Sequence, residues 1–462
     1  MADYKTPGVY VEEISKFPPS VAGVATAIPA FIGFTEKCPE GKGNQPVKVT
    51  SMVDYESKFG GSPELKIKDD RLKNQEFVMY DSMRLFFDNG GNVAYVSSIG
   101  GYDESDKISS DSYIKAIGPL EKIDEVTLLL FPDAALVLGE EDLGNVHQAA
   151  LTHCGKMGDR FAILDVKDIN DDNGDDKLGT TLEKFRTGVG ANNLNYGAAY
   201  YPYLKTTYTK NISFDEMCKH SDLKDIIEGE KKNAKYEGAT EAEKALKAKA
   251  IIAKIPKYSE HLNKFQDEAQ IITPSGAIAG IYAMVDANKG VWQAPANVSI
   301  SSVSGLSLQL SDREQEDMNV DSLAGKSVNA IRSFTGKGII VWGARTLDGN
   351  SNEWRYVPVR RLFNYVEESV QKSTNWAVFQ PNDANTWVKV RCQIENFLSN
   401  LWRDGALAGS TPDKAFYVRV GLDETMTAQD ILEGRMIIEI GLAAVRPAEF
   451  IVLRFSHKLQ EA

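Results

Sequence analysis

Between Ile123 and Tyr203, short apolar runs alternate with spacers of helical character, and this alternation restricts the possible folds more than any other feature of the chain. The runs EVTLLLFPDA, RFAILDV and YGAAYYPYL are almost continuously apolar. Strands of that composition are buried on both faces, as in a parallel sheet that is covered by helices. The spacers at residues 143–157 and 178–186 can supply those helices. The sequence therefore predicts a layered α/β domain.

The last quarter of the chain has a different pattern, which predicts an α+β domain from about residue 336. We expect strands at Ile339–Trp342, Phe416–Val420 and Met436–Leu442. Helices are expected at Arg360–Lys372 and Asp383–Trp402. The apolar stripe of the second helix is Val388, Ile394, Leu398 and Leu401. A chain of 462 residues is too long for one hydrophobic core, so about two to four domains are expected.

Residues 205–265 interrupt the α/β pattern. They are charged and alanine-rich with few large apolar side chains, which favours an exposed helical insertion or lid. The apolar pattern resumes at Ile271, where Ser275 or Thr273 is expected to cap a helix that ends at Gly290.

Each end of the chain carries a short segment rich in residues that favour strands. Prolines flank the first segment, which favours an extended arm over a helix, and so many strand formers are unusual in a disordered tail. Because no later strand of the same chain can cover the last segment, we expect both ends to join copies of the protein. The residues expected to make these contacts are Val9, Tyr10, Val11, Ile14, Phe450, Ile451, Val452, Leu453 and Phe455.

The charge balance argues against a nucleic-acid partner. Acidic residues outnumber basic ones by 65 to 52, the formal charge is −13, and no stripe of lysine and arginine offsets it. The four cysteines are far apart and fit reduced thiols. Without an apolar signal core or a run of about 18 apolar residues, we expect synthesis in the cytoplasm and no direct membrane insertion.

No group of residues predicts catalysis, a metal site or a cofactor. His147, His153 and Cys154 match no zinc spacing, so a buried cysteine and histidines on a helix surface are expected. The acidic stretch at residues 168–177 fails the calcium-loop pattern and is expected to be solvated. Phosphate-binding loops and nucleophile motifs are absent from the sequence, so we expect a protein that is not an enzyme.

Several long phrases resemble one family. PGVYVEE near the start, PSGAIAGIYAMVDANKGVWQAPAN in the middle and GKGIIVWGARTL before the last domain are similar to the contractile tail sheath family. So are YVPVRRLFNYVEESV, FLSNLWRDGAL and AEFIVLRF. That family covers contractile phage tails, R-type pyocins and extracellular injection systems. The resemblance reaches both ends of the chain and leaves residues 205–265 as a variable insertion.

The resemblance implies a subunit that stacks as hexameric rings into a helical cylinder around an inner tube protein. Baseplate and terminal cap proteins would be its other partners. The arms would exchange strands with neighbouring subunits, and contraction from a metastable extended state would drive the tube through a target envelope. Such a phage tail or tail-like particle is released from the cell or anchored at its envelope.

The implied organisation has four parts: an N-terminal arm (residues 1–20), an outer α/β domain (21–335) containing the insertion, a C-terminal sheath core (336–445) and a C-terminal arm (446–462). Family analogy turns the last domain towards the tube, where Arg360, Arg361 and Lys372 are candidate contacts.

Two alternatives stay open on sequence alone. An α/β enzyme with a helical lid at residues 205–265 would need a pocket with convergent polar groups at strand ends. A static filament or surface-layer protein would share the arms but would not shorten.

Overall fold

A computed structural model of the chain describes residues 20–41, 43–103, 108–169, 177–210, 212–224, 256–321 and 324–450. The strands are β1 (Pro29–Phe34), β2 (Val47–Val49), β3 (Lys66–Lys68), β4 (Arg71–Lys73), β5 (Ala94–Gly100), β6 (Leu128–Leu130), β7 (Phe161–Asp165), β8 (Gly197–Tyr201), β9 (Leu204–Thr206), β10 (Ile271–Ile272), β11 (Val298–Ser299), β12 (Val303–Leu306), β13 (Val328–Phe334), β14 (Gly338–Val341), β15 (Phe416–Arg419) and β16 (Glu439–Leu442).

The helices are α1 (Met52–Phe59), α2 (Met79–Asp88), α3 (Ser110–Ile117), α4 (Ala134–Val137), α5 (Glu140–Met157), α6 (Lys177–Gly188), α7 (Phe214–Met217), α8 (Pro256–Ala269), α9 (Ser275–Lys289), α10 (Asp312–Asn319), α11 (Val357–Ser373), α12 (Ala384–Arg403), α13 (Pro412–Ala415) and α14 (Ala428–Leu432). Within the described ranges, none of these helices is long and apolar enough to cross a membrane.

One large sheet organises the longer part of the chain. Its order across the described residues is β11-β14-β13-β8-β7-β6-β1-β5-β2. The central strands are parallel, since β6 pairs with β1 and β7, and β8 pairs with β7 and β13. The three apolar runs of the sequence thus form neighbouring parallel strands, as predicted.

Successive residues of these strands belong to two different hydrophobic clusters. In β1, Ala30 and Ile32 belong to the cluster that contains apolar residues of α3, α5 and α6. Phe31 belongs to the other, together with residues of α2 and α9. The sheet is therefore buried on both faces, which explains why its strands are apolar without alternation.

The chain divides into two compact units. One contains Ala25–Tyr365 and the described residues 446–450. The other contains Val366–Val445 and the described residues 20–24. The strand that follows the boundary expected at residue 336 belongs to the longer unit, because β14 pairs with β13 and β11 inside the large sheet.

The start of α9 also differs from the prediction. Its N-cap is Pro274, which offers no side-chain cap. The hydroxyl of Thr273 donates instead to the carbonyl oxygen of Pro132 at 2.9 Å, and the amide of Ser275 donates to Asp165 Oδ1 at 3.0 Å. A carboxylate at the end of β7 thus supplies the acceptor that a capping residue normally provides. Gly290 ends the helix, as predicted.

The described flanks of the expected insertion have a small core of their own. Residues 225–255 lie outside the described residues. On either side, α7 and α8 pack against the hairpin of β3 and β4. The expectation of few buried apolar side chains does not hold for these flanks. The buried members are Leu65, Ile67, Leu72, Ile212, Met217, Leu223, Tyr258, Phe265 and Ala269.

In the shorter unit, α12 forms where predicted and Asp383 accepts the capping bond from the amide of Thr386. Its buried stripe begins at Val390 and continues through Ile394 and Leu398, whereas Val388 is 56% exposed. Because 390, 394 and 398 share one helical face and 388 does not, including Val388 in the stripe was wrong. The strands β15 and β16 pair in an antiparallel sheet.

Candidate functional site

The histidines and cysteine that could suggest chemistry are buried on α5. His147 is 3% and His153 6% exposed, so the expected position on a helix surface is wrong. Burial lowers the pKa of His147 to about 3 and that of His153 to about 4, and it raises the pKa of the Cys154 thiol. His153 Nε2 lies 2.8 Å from Nη1 of buried Arg160. The arrangement keeps both rings neutral and the thiol protonated, which fits packing rather than catalysis.

The described chain begins with a segment that is held along α11. The amide of Ala22 donates to Ser373 Oγ at 3.3 Å, and the amide of Val24 donates to Ser369 Oγ at 3.2 Å. The two serines are one helical turn apart, so their hydroxyls accept from alternate residues of this segment.

A buried ion pair holds the next residues of that segment. Arg361 donates through Nη1 and Nη2 to the two carboxylate oxygens of Asp286, at 3.0 and 2.5 Å. The same Nη2 donates to the carbonyl oxygen of Thr26 at 2.9 Å, and the hydroxyl of Thr26 donates to Asp286 at 2.6 Å. We call residues 22–26 the N-terminal root, because they follow directly on the predicted arm.

The predicted tube-contact residues differ in exposure. Arg361 is 3% exposed, and Arg360 is 4% exposed with its guanidinium 4.2 Å from the ring centre of Trp354. Lys372 is the most exposed of the three, with 36% of its side chain accessible and its ammonium 2.6 Å from Glu368. The two buried arginines have almost no surface for a partner, so only Lys372 keeps the exposure that a tube contact needs. That contact stays a prediction.

Glu449 anchors the other end of the described chain. Its carboxylate accepts from Arg345 Nη2 at 2.7 Å and Nε at 2.9 Å. It also accepts from Asn319 Nδ2 at 2.9 Å and from the Tyr356 hydroxyl at 3.1 Å. Burial raises the pKa of Glu449, but the hydrogen bonds and the charge of Arg345 outweigh it and hold the pKa below its ordinary value. Glu449 is the C-terminal root, one residue before Phe450.

The arms themselves lie almost entirely beyond these roots. Phe450 is 71% exposed and is not part of a strand. The other residues predicted to join subunits lie outside the described residues: Val9, Tyr10, Val11, Ile14, Ile451, Val452, Leu453 and Phe455.

The sheet of β15 and β16 is one described place where an added strand can pair. Within the described ranges these two strands form a sheet of their own, so each strand is an edge strand of the kind to which a further strand can add. Tyr417 lies opposite Gly441, and a Cβ atom on that glycine would overlap the tyrosine ring. Gly441 therefore lets the ring lie across the sheet, where its hydroxyl donates to Glu439 at 2.8 Å.

The β-prone ends are visible in the sequence, but the roots beside them are not. Glu449, Arg345 and Asp286 are single charged residues without a motif, and their partners are remote in sequence. The only available signal was their position just inside the β-prone ends.

Two family models match adjoining parts of the chain. The phage tail sheath protein central domain matches residues 219–347, and the phage tail sheath C-terminal domain matches residues 350–458. Together they cover just over half of the chain, with a boundary close to residue 348.

Curated relatives match parts of the chain. The tail sheath protein of Vibrio phage KVP40 is 23% identical over 199 residues, which is 43% of this chain and 28% of the phage protein. A putative prophage major tail sheath protein of Pseudomonas aeruginosa is 27% identical over 176 residues, 38% of this chain and 43% of the relative. The matched parts thus span less than half of either relative.

Solved structures match over almost the whole chain. A chain of the sixfold-symmetrised anti-feeding prophage baseplate is 28% identical with a TM-score of 0.67, covering 99% of this chain and 100% of that chain. A chain of the sheath complex of the PVC extracellular contractile injection system, in the contracted state, is 28% identical with a TM-score of 0.66, covering 99% of both chains.

Proposed function

This chain belongs to the contractile tail sheath family, and from that membership we propose that it polymerises as stacked hexameric rings around an inner tube. The cylinder contracts from a metastable extended state and drives the tube through a target envelope. Baseplate and terminal cap proteins bind its two ends. The relatives are named as tail sheath proteins, which supports a structural role rather than an enzymatic one.

The observation that carries this proposal is the likeness to injection-system sheath chains over nearly the full length. The match to a contracted sheath complex covers 99% of both chains at 28% identity. A likeness of that extent includes both units and both chain ends, so it supports the mechanism of the particle as well as the fold. It also favours a phage tail or tail-like particle made in bacteria as the place where the protein works.

Strand exchange through the arms is the proposed link between subunits. The N- and C-terminal arms of neighbouring copies add to the free edges of β15 and β16, because an edge strand presents a row of unpaired amides and carbonyls. Each added strand would form about four to six hydrogen bonds worth roughly 1 kcal/mol net each. Contacts of this kind relate different surfaces of the two partners, so they build rings or an open helix rather than a closed dimer.

The two roots can transmit a pulling force from an arm to its own subunit. Arg361 and Asp286 are a bidentate buried pair, and Glu449 accepts five hydrogen bonds from three residues. Charge-assisted bonds of this geometry are among the stronger ones available in a protein. An arm pulled during contraction is thus held at a rigid point.

The test is negative-stain microscopy of the purified full chain, in which striated hollow tubes are expected. Deleting residues 1–15, or replacing Leu453 by aspartate, should abolish tubes while circular dichroism shows a folded subunit. Leu432→Asp is the matched control, since this leucine is already 82% exposed and lies on α14, outside the arms. Normal tubes from either arm variant would contradict strand exchange. Tubes that never shorten when their baseplate is triggered would contradict contraction.

A further inference from the structure

Two histidines and an aspartate converge beside the small core of β3, β4, α7 and α8. The ligand atoms of His220, Asp222 and His261 all lie within 4.8 Å of one another. They come from two segments, residues 212–224 and α8, between which residues 225–255 run. We call these three residues the histidine cluster.

The geometry of the cluster is compact. The two imidazole rings lie 4.2 Å apart between centroids, and His261 Nε2 is 3.3 Å from Asp222 Oδ2. Asp70, at the turn between β3 and β4, places a second carboxylate oxygen 3.8 Å from His220 Nδ1. Phe265 borders both rings, at 5.7 Å from His220 and 6.4 Å from His261.

We propose that the histidine cluster binds a divalent transition-metal ion, with Zn²⁺ as the best fit. Two imidazole nitrogens and one carboxylate oxygen are donors that zinc prefers, and a water molecule can complete four ligands. The side chain of Asp222 is 52% exposed, which leaves solvent access for that water. Two carboxylates, those of Asp222 and Asp70, also bring negative charge to the cluster, which favours a dication there.

The small core explains what such an ion contributes. Among the described residues this core has nine buried members, far fewer than either of the two clusters of the large sheet. A core of that size gains much from a cross-link, and a metal shared by two segments is one. The ion therefore ties α8 to residues 212–224 at the points where residues 225–255 begin and end. This role is independent of sheath assembly.

Zinc binding to the full chain tests the proposal. The protein is prepared without a histidine-containing tag, stripped with chelator and titrated with Zn²⁺ by calorimetry, and one ion per chain is expected, with a higher Tm in the zinc-bound protein. His261→Gln and Asp222→Asn should each weaken zinc binding by about tenfold or more, because each removes a ligand. Glu260→Gln is the matched control, since this exposed acid adjoins His261 without belonging to the cluster.

Co²⁺ provides a second readout, as its visible absorption reports ligand number and type. The wild type and Glu260→Gln should give the same spectrum, and Asp222→Asn a changed or missing one. Asp222 is half exposed, so its substitution keeps the test valid if His261→Gln does not fold. No zinc binding by the wild type, or equal affinity in wild type and Asp222→Asn, would overturn the site. Either result would leave the proposed sheath function untouched.

Discussion

At the residue scale, Glu449 is the side chain on which the C-terminal root depends. It pairs with Arg345, whose side chain is only 5% exposed, and it lies immediately before the exposed Phe450. A buried guanidinium without its carboxylate keeps the cost of desolvation and loses the compensating attraction. The pair therefore fixes the backbone directly before the predicted C-terminal arm.

Glu449→Gln should lower the free energy of unfolding by about 1–3 kcal/mol, because the amide keeps the shape but not the charge. Chemical denaturation measures this loss of unfolding free energy. Glu433→Gln is the control, since Glu433 and its partner Arg435 are 42% and 57% exposed. A surface pair of this kind contributes about 0–1 kcal/mol, so equal losses in the two variants would contradict the anchor.

The same residue predicts a pH dependence. The pKa of Glu449 is lowered from its ordinary value of 4.5 in the folded protein. Its stabilising contribution is therefore complete above that value and is lost as the pH falls through the lower, folded-state pKa. The difference in unfolding free energy between wild type and Glu449→Gln should shrink below about pH 4.5. A difference that stays constant down to about pH 3 would exclude this cause.

At the scale of elements, the sheet of β15 and β16 is the feature on which the proposed assembly depends. It is short, and the ring of Tyr417 covers Gly441 on one face. The guanidinium of Arg419 lies 4.8 Å from the centre of that ring. The absence of a side chain at Gly441 is thus a requirement of the packing and not of the backbone angles.

Gly441→Val should displace the ring of Tyr417 and distort the sheet, with a loss of about 1–3 kcal/mol in unfolding free energy. We expect tubes to be lost while the subunit stays folded. Tyr417→Ala combined with Gly441→Val removes the clash and should recover part of the lost stability. Full tube formation by Gly441→Val alone would mean that arms do not add at this sheet.

At the scale of the whole molecule, the described flanks of the predicted insertion have buried apolar side chains. Residues 256–269 form α8, and Phe265 and Tyr258 are buried with Leu65 and Leu72 on the β3–β4 hairpin. Only residues 225–255 lie between the two described flanks. Deleting only residues 225–255 should therefore destabilise the subunit far less than deleting residues 210–262, which includes part of the flanks.

Replacing residues 225–255 by a flexible glycine-serine linker of about ten residues should leave a folded subunit that still assembles. Removing residues 210–262 should instead lower the Tm strongly, since it uncovers Leu65 and Leu72 and deletes their partners. Thermal unfolding measures the stability of the two deletion variants, and microscopy shows whether each still assembles. Similar behaviour of both would show that the flanking core adds little stability.

Much of the fold could be predicted because its signals are local. The apolar runs at β6, β7 and β8, the helix of residues 384–403 and the glycine that ends α9 all depend on residues within a few positions of one another. The candidate site could be predicted only in part. The arms are visible as β-prone ends, but the roots that hold them depend on partners more than 70 residues away.

Three differences between the predicted and the observed structure have one physical origin. β14 joins the large sheet, Asp165 replaces a capping residue at α9, and His147 is buried, although none of these is visible in local sequence. In each case a group from a remote segment supplies a hydrogen-bond partner or a packing surface.

By itself, then, the sequence determined the type and order of the main elements, the family and the two β-prone ends, because periodicity and composition act over short distances. Tertiary structure alone decided that β14 extends the sheet and that Glu449 and Arg361 hold the roots. It also brought His220 and His261 together. Each of these features depends on which distant segment supplies the buried partner, and that is determined only when the chain is folded.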